Sequence, residues 1–374
     1  MLIFNINFNT QELPVKEIIE YAEEKGLTHD IVKEYIIMLL AQDDNILSRM
    51  CEEKVIPGDS LREAALKDTE QLMKSIASAP EFLKSYIPSV KRRLAFNEYQ
   101  QSLKSILSAD TSEKTLDRLI LHYLTFGGGE ISKYIAFKWD GGNGLKGIEK
   151  PDDISLNQLF CLDRQKQTLI DNTTMFLRDF PANNVLLYGN SGCGKSSMVK
   201  ALLNKYYNDG LRLAQIAKDD LAELPDLIDI IKKKIFKYII FIDDLSFEDN
   251  DYRYKTLKTI LEGGVEKQPK NILIYATSNR IHLVNEKWTE RQGEDVHIND
   301  TRNEKLSLSE RFGIRVSFLS PDQNEYLEIV KGVLSRKNIP ATSEIKAAAV
   351  RWALLYNGLS GRTAVQFANA VFSQ

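Results

Sequence analysis

Apolar residues recur along this chain with two different periods, and the change of period divides it. Up to about residue 125 the spacing is helical. Val15, Ile18, Ile19 and Ala22 form one stripe, and Leu116, Leu119, Ile120 and Tyr123 form another; each is the i, i+3, i+4, i+7 pattern of a single buried face. The opening differs: Leu2 to Phe8 alternates apolar and polar residues, which predicts a strand. Two glycine clusters, Gly127-Gly128-Gly129 and Gly141-Gly142-Asn143-Gly144, mark a junction. Beyond it, short, mostly apolar segments alternate with helical stretches, predicting strands at 184–188, 211–216, 237–242, 271–276 and 314–318. Segments of this kind imply a parallel sheet buried on both faces, with crossover helices. From residue 320 onward the pattern is that of a small helical bundle. Ser320-Pro321-Asp322-Gln323 supplies a cap, a first-turn proline and a capping-box glutamine in order. A helix from Ser343 stops at Asn357-Gly358, and Ala364, Val365, Ala368, Val371 and Phe372 share one face of the last helix. The predicted organisation is a mostly helical domain over 1–145, an α/β domain with five parallel strands over 146–319, and a helical subdomain over 320–374.

Composition narrows the function classes. The 374 residues include 43% apolar and 27% charged side chains, with a net charge of −3 and a pI near 6.0. That balance argues against a broad nucleic-acid-binding surface, and Lys91-Arg92-Arg93 and Lys232-Lys233-Lys234 read as solvated faces. Cys51, Cys161 and Cys193 are too scattered for a disulfide framework or a zinc site. No stretch approaches the ~18 apolar residues of a membrane span, and the opening lacks the basic start of a secretory signal. A cytoplasmic protein is expected. His29 and His122 read as ordinary structural residues.

The chemistry concentrates at Gly189-Asn190-Ser191-Gly192-Cys193-Gly194-Lys195-Ser196, a full G-x-x-x-x-G-K-[ST] octet. An apolar strand runs into it, and the helix running out carries Val199, Leu202, Leu203 and Tyr206 on one face. The glycines let successive N–H groups turn toward a di- or triphosphate, and the helix N-terminus adds its dipole. Lys195 is placed to reach β- and γ-phosphates, and the Ser196 hydroxyl to ligate Mg²⁺. Cys193, in the same nest of N–H groups, reads either as a reactive thiol of lowered pKa or as a small residue tolerated in the loop. A second apolar run, Tyr238 to Ile242, ends in Asp243-Asp244 at the sheet edge where open α/β folds bind ligands. Asp243 is placed to hold Mg²⁺ through water. Asp244 stands where a water-activating carboxylate belongs, with Glu248 as a nearby alternative; the plainer reading is that the two acids cap the next turn. A third run from Asn271 ends in Thr277-Ser278-Asn279-Arg280. The Asn279 amide, donor and acceptor at once, can orient water against a γ-phosphate, or simply form a turn. Arg311 precedes the last strand. Arg362 opens the final helix, where a cation opposes the dipole and so points to an outside anion. A local carboxylate is the alternative partner for each arginine. The polar segment His282 to Glu304 is long for a connection and reads as a partner loop or a surface loop.

Taken in order, these parts resemble the AAA+ superfamily: Walker A, Walker B, a sensor-1 asparagine, an arginine finger, then a helical lid with a sensor-2 arginine. Four segments carry a closer resemblance, Asn183 to Gly189, Asp243 to Glu248, Tyr275 to Arg280 and Leu306 to Gly313. They resemble a family of predicted bacterial ATPases catalogued only as a domain of unknown function, over about residues 150 to 374. The resemblance implies an α/β P-loop AAA+ fold with its lid at 320–374, and ATP and Mg²⁺ as ligands. It assigns phosphate contacts to Gly189, Asn190, Ser191, Gly192, Cys193, Gly194, Lys195, Ser196 and Ser197, and the metal to Ser196 and Asp243. Asp244, Asn279, Arg311 and Arg362 become the catalytic set, Arg311 as a finger and Arg362 as the second sensor. Adenine is expected near Leu159, Phe160 and Cys161. A homo-oligomer is implied, a hexamer among the candidate rings, acting on an unidentified protein partner. Asp244 departs from the usual AAA+ glutamate, although the closer family shares the Asp-Asp pair. Two functions follow: an ATPase that remodels or loads a macromolecule, or a slowly hydrolysing switch or scaffold. Nucleic-acid loading is disfavoured by the acidic pI, and small-molecule kinase activity by the lid and both arginines.

Overall fold

The structure, a computed structural model, describes residues 2–6, 13–25, 30–88, 97–247, 253–262, 269–279, 308–356 and 358–372. The chain forms two compact units, Met1–Tyr134 with Lys233–Ile235, and Ile135–Lys232 with Phe236–Gln374.

The first unit is helical, as its apolar spacing predicts. Its helices are α1 (Val15–Lys25), α2 (Ile31–Ala41), α3 (Ile46–Glu52), α4 (Asp59–Ala77), α5 (Glu81–Lys84), α6 (Asn97–Leu107) and α7 (Ser112–Phe126). Helix α2 is apolar on most sides and buries Ile31, Val32, Ile36, Ile37 and Leu40, as a central helix must. Side chains of Asp30, Asn45 and Thr111 cap the first N–H groups of α2, α3 and α7. His122 is buried, with Nδ1 2.9 Å from Ser102 Oγ and its ring edge-on to Tyr99. His29 and the run 91–93 lie outside the described residues. Residues 2–6 form no strand, contrary to their alternation. Their donors go instead to the buried Asp68 carboxylate on α4, which accepts the N–H groups of Leu2, Ile3 and Phe4 at 2.9, 2.7 and 3.2 Å. Lys234 is likewise not on a solvated face, for it pairs with the buried Glu52 at 3.0 Å.

Among the described residues the second unit has seven strands: β1 (Ala136–Trp139), β2 (Leu145–Gly147), β3 (Val185–Gly189), β4 (Leu211–Ile216), β5 (Lys237–Ile242), β6 (Ile272–Ser278) and β7 (Ile314–Phe318). Their order is β2-β1-β4-β5-β6-β3-β7. All neighbours run parallel except β1 and β2. The five expected strands stand within two residues of their predicted bounds. β1 and β2 are additional, and at four and three residues they are too short to carry a readable period. Among the described residues the connecting helices are α8 (Asp163–Leu177), α9 (Lys195–Tyr206), α10 (Leu224–Ile231) and α11 (Arg253–Glu262). The predicted face of α9 is buried, and Val199, Leu202 and Leu203 share a core with Leu187 of β3, Phe241 of β5 and Tyr275 of β6. Strand β6 is buried along its whole length.

Three helices follow β7: α12 (Gln323–Arg336), α13 (Ser343–Leu355) and α14 (Gly361–Phe372). They enclose a small core of their own, with Tyr326, Val330, Leu334, Ala349, Ala353, Ala364, Phe367 and Ala368. Two details correct the sequence reading. The cap of α12 is Asp322 rather than Ser320, and Asp322 and Glu325 close a reciprocal capping box. On α14, Val365 is 45% exposed and Phe367 is buried in its stead. Helix α13 ends as expected: Gly358 has φ +73°, and its N–H donates to Ala353 O at 2.9 Å, while Asn357 lies outside the described residues. Among the described residues no helix is long and apolar enough to cross a membrane.

Candidate functional site

Parallel pairing brings the C-terminal ends of β3, β5, β6 and β7 to one edge of the sheet, the edge where α/β folds hold ligands. The glycine loop leaves β3, Asp243 and Asp244 leave β5, and Asn279 leaves β6. A cavity of about 1780 Å³ opens there, lined by Lys195, Ser196, Asp243, Asp244, Asn279 and Arg362, among others.

The loop conformation depends on glycine at its first position. Gly189 has φ +129°, and a Cβ there would stand 2.1 Å from the Phe318 carbonyl oxygen of β7. Asn190 is fixed by the same neighbour: its N–H donates to Phe318 O at 2.9 Å and its Nδ2 to Ser320 Oγ at 2.6 Å. Helix α9 then starts from Gly194 in the left-handed region, with no side chain capping its first turn. A glycine loop running into a helix start that no side chain caps is a seat for phosphate oxygens. The loop therefore fits a polyphosphate.

Lys195 is 7% exposed. Its ammonium donates to Gly189 O and Asn190 O at 2.8 Å each and to Asn279 Oδ1 at 2.9 Å, which takes all three of its protons. Burial holds its pKa below the usual lysine range, although Cys193, Asp244 and Asp243 act in the opposite sense. Ser196 Oγ donates to Asp243 Oδ1 at 2.6 Å. Thr277 Oγ1 donates to the same oxygen at 2.5 Å and accepts the Asp244 N–H at 2.9 Å. Asp244 adopts φ +54°, uncommon outside glycine, and its Oδ1 accepts from Asn279 Nδ2 at 2.9 Å. The hydroxyl of Ser196 and the carboxylate of Asp243 are hard oxygen donors of the kind Mg²⁺ takes.

Three placements differ in character from these. Cys193 is 7% exposed, and burial pushes its thiol pKa up, outweighing Ser320, Lys195 and Arg362, which would lower it. The reactive thiolate expected from the loop dipole is thus corrected, because desolvation wins. Arg362 stands at the loop: its N–H donates to Gly192 O at 3.1 Å, and its guanidinium lies 3.4 Å from Ser191 Oγ. Arg311 does not line the cavity. It pairs with Glu262 at the end of α11, 3.0 Å away, with both side chains partly exposed. Leu159, Phe160 and Cys161 do line the cavity. The Phe160 ring lies against Gly332 of α12, where a Cβ would meet Cζ at 2.4 Å. Glu248, Arg280 and the segment 282–304 lie outside the described residues.

The sequence alone assigns no role to Thr277 or Glu262. Thr277 left a signal, a hydroxyl closing an apolar strand two residues before the chosen asparagine. Ser320 was taken for a helix cap.

A family model described as a protein of unknown function (DUF815) matches residues 132–374. No curated protein matches the chain. Solved structures similar to it include a RuvB mutant from Thermotoga maritima, at 16% identity and TM-score 0.41, covering 59% of this chain and 65% of that one. Another is the T. maritima RuvB Holliday junction branch migration motor, at 14% identity and TM-score 0.34, covering 58% and 72%. The chain thus spans just under two thirds of the first RuvB chain. The architecture is mixed α/β: a mostly parallel sheet, a glycine-rich loop between β3 and α9, and three helices with a core of their own after β7.

Proposed function

This chain belongs to the family described as a protein of unknown function (DUF815), and from that premise we propose that it is an Mg²⁺-dependent ATPase. The proposed work of hydrolysis is remodelling or assembling a macromolecular partner, with the active unit a homo-oligomer. The observation that carries this reading is the convergence of Lys195, Ser196, Asp243, Asp244 and Asn279 in one hydrogen-bonded set at the mouth of the glycine loop.

Within it, Lys195 neutralises the β- and γ-phosphates, and the loop N–H groups from Gly189 to Ser197 orient them. Ser196 and Asp243 hold the metal. When bound, Mg²⁺ supplies charge neutralisation and Lewis acidity at the phosphates. Asp244 and Asn279 face the position of an attacking water, Asn279 orienting it and Asp244 taking its proton. Arg362 reaches the phosphates from the lid. Arg311 serves a neighbouring copy, since it does not line the cavity of its own chain. A second reading, a slowly hydrolysing switch, is favoured by one feature: Asp244 is short and its carboxylate is already engaged by Asn279.

Equilibrium binding of a fluorescent ATP analogue tests the proposal. Lys195→Ala should weaken binding roughly 10- to 100-fold, the scale of a hydrogen bond to a charged group. Asp243→Asn should retain binding but lose its response to Mg²⁺. Unchanged, Mg²⁺-dependent binding in both variants would overturn the assignment.

A further inference from the structure

We propose that Thr277 is the positioning residue that holds the Asp243 carboxylate and the Asp244 backbone in place, and through Asp243 the metal; this inference rests on the proposed nucleotide site. β5 and β6 pair with Ile242 opposite Ala276, so the next residue along each, Asp243 and Thr277, meet just past the paired region. Thr277 is 1% exposed. A threonine hydroxyl has one proton to give and lone pairs to receive. Here the proton goes to Asp243 Oδ1 and a lone pair takes the Asp244 N–H. The Leu245 N–H also donates to the Thr277 carbonyl at 2.7 Å. The backbone leaving β5 is therefore stitched to one residue of β6 at two points, with the side-chain oxygen serving both acids.

The consequence is a closed circuit. Lys195 donates to Asn279, Asn279 to Asp244, Asp244 through its N–H to Thr277, and Thr277 to Asp243, which also accepts from Ser196. The peptide bond between Lys195 and Ser196 completes the loop. Thr277 is the member of this circuit that sits in a fully buried strand, so it anchors the others to the sheet. Its hydroxyl keeps Asp244 in its left-handed conformation and, with Ser196, fixes which Asp243 oxygen is engaged. Groups that orient a metal ligand in this way typically govern affinity by about 10- to 100-fold.

The test is an Mg²⁺ titration of nucleotide-analogue binding, with thermal melts run alongside. Thr277→Val preserves shape and removes both side-chain bonds. It should raise the Mg²⁺ concentration for half-maximal effect by about 10- to 100-fold and leave binding in chelator nearly unchanged. Thr277→Ser restores the hydroxyl and should return the titration to the wild-type range. A Thr277→Val protein that melts cooperatively yet shows the wild-type Mg²⁺ dependence overturns the inference while leaving the nucleotide site intact. Absence of Mg²⁺-dependent binding in the wild type overturns the site itself, and this inference with it. Should Thr277→Val fail to fold, Thr277→Cys, which retains a weak donor, is read by the same titration. It should fall between wild type and chelated behaviour, and a wild-type titration there also overturns the inference.

Discussion

His122, Lys195 and Cys193 occupy unrelated parts of the chain, yet desolvation is the largest influence on each. Charge removed from water must find a compensating partner or be given up. His122 gives it up: burial pulls its pKa from 6.5 down to about 4. A base with a depressed folded pKa takes its proton first in the unfolded chain. Its contribution is therefore fully present above about pH 6.5 and is lost as pH falls toward about 4. The difference of about 2.5 pH units corresponds to at most roughly 3 kcal/mol. His122→Phe should flatten that part of the pH profile. Urea unfolding at about pH 7 and about pH 4.5 measures it, and equal pH slopes in wild type and variant would contradict the account.

Among elements, the junction of β3 with β7 sets the geometry of the phosphate loop, because β3 ends beneath the Phe318 carbonyl. A methyl group on residue 189 meets that backbone oxygen at 2.1 Å and must also adopt a φ reserved for glycine. Gly189→Ala should destabilise the second unit by about 2–5 kcal/mol, combining overpacking with backbone strain; a melt shifted by less than about 3 °C would rule this out. The strands β3 to β7 were legible in the sequence: β3, β5 and β6 as apolar runs closed by glycine or a polar residue, and β4 and β7 as short segments in which apolar residues still predominate. β1 and β2 were not, since each is too short to carry a period and β1 joins the sheet through β4, more than sixty residues further along the chain. The start of α12 was ambiguous for a tertiary reason. Ser320 and Asp322 both suit a cap, but the Ser320 hydroxyl accepts from Asn190, leaving Asp322 to close the helix. Within the site, Lys195, Ser196, Asp243 and Asn279 could be named from the octet and the strand ends. Thr277 is visible as a hydroxyl closing its strand, but its partnership with Asp243 and Asp244 is not, because that arises from the β5–β6 register, which no local pattern encodes.

On the scale of the whole molecule, the proposed oligomer turns on Arg311. Its pair with Glu262 is partly exposed and worth about 0–1 kcal/mol, little against the phosphate charge of a neighbouring copy. Arg311→Ala should leave ATP affinity nearly intact and lower turnover by about 10³- to 10⁵-fold. Mixing it with Lys195→Ala protein should restore part of the activity wherever the two co-assemble, since one interface then joins a sound loop to a sound arginine. Normal hydrolysis by Arg311→Ala would remove the finger and leave the switch reading in its place. The Lys195 ammonium carries a different consequence. With Gly189 O, Asn190 O and Asn279 Oδ1 already on its three protons, an arriving anion fills no vacancy and must evict a resident acceptor. Under the proposed function, the loop's own carbonyls and the Asn279 amide thus compete with the ligand for the lysine. A single-charged ion such as chloride exchanges one bond for another and gains little, whereas a polyphosphate engages the lysine and the loop N–H groups together. For the proposed site, discrimination against small anions is in this way a consequence of the loop's own hydrogen bonds, before any contact with a base or sugar.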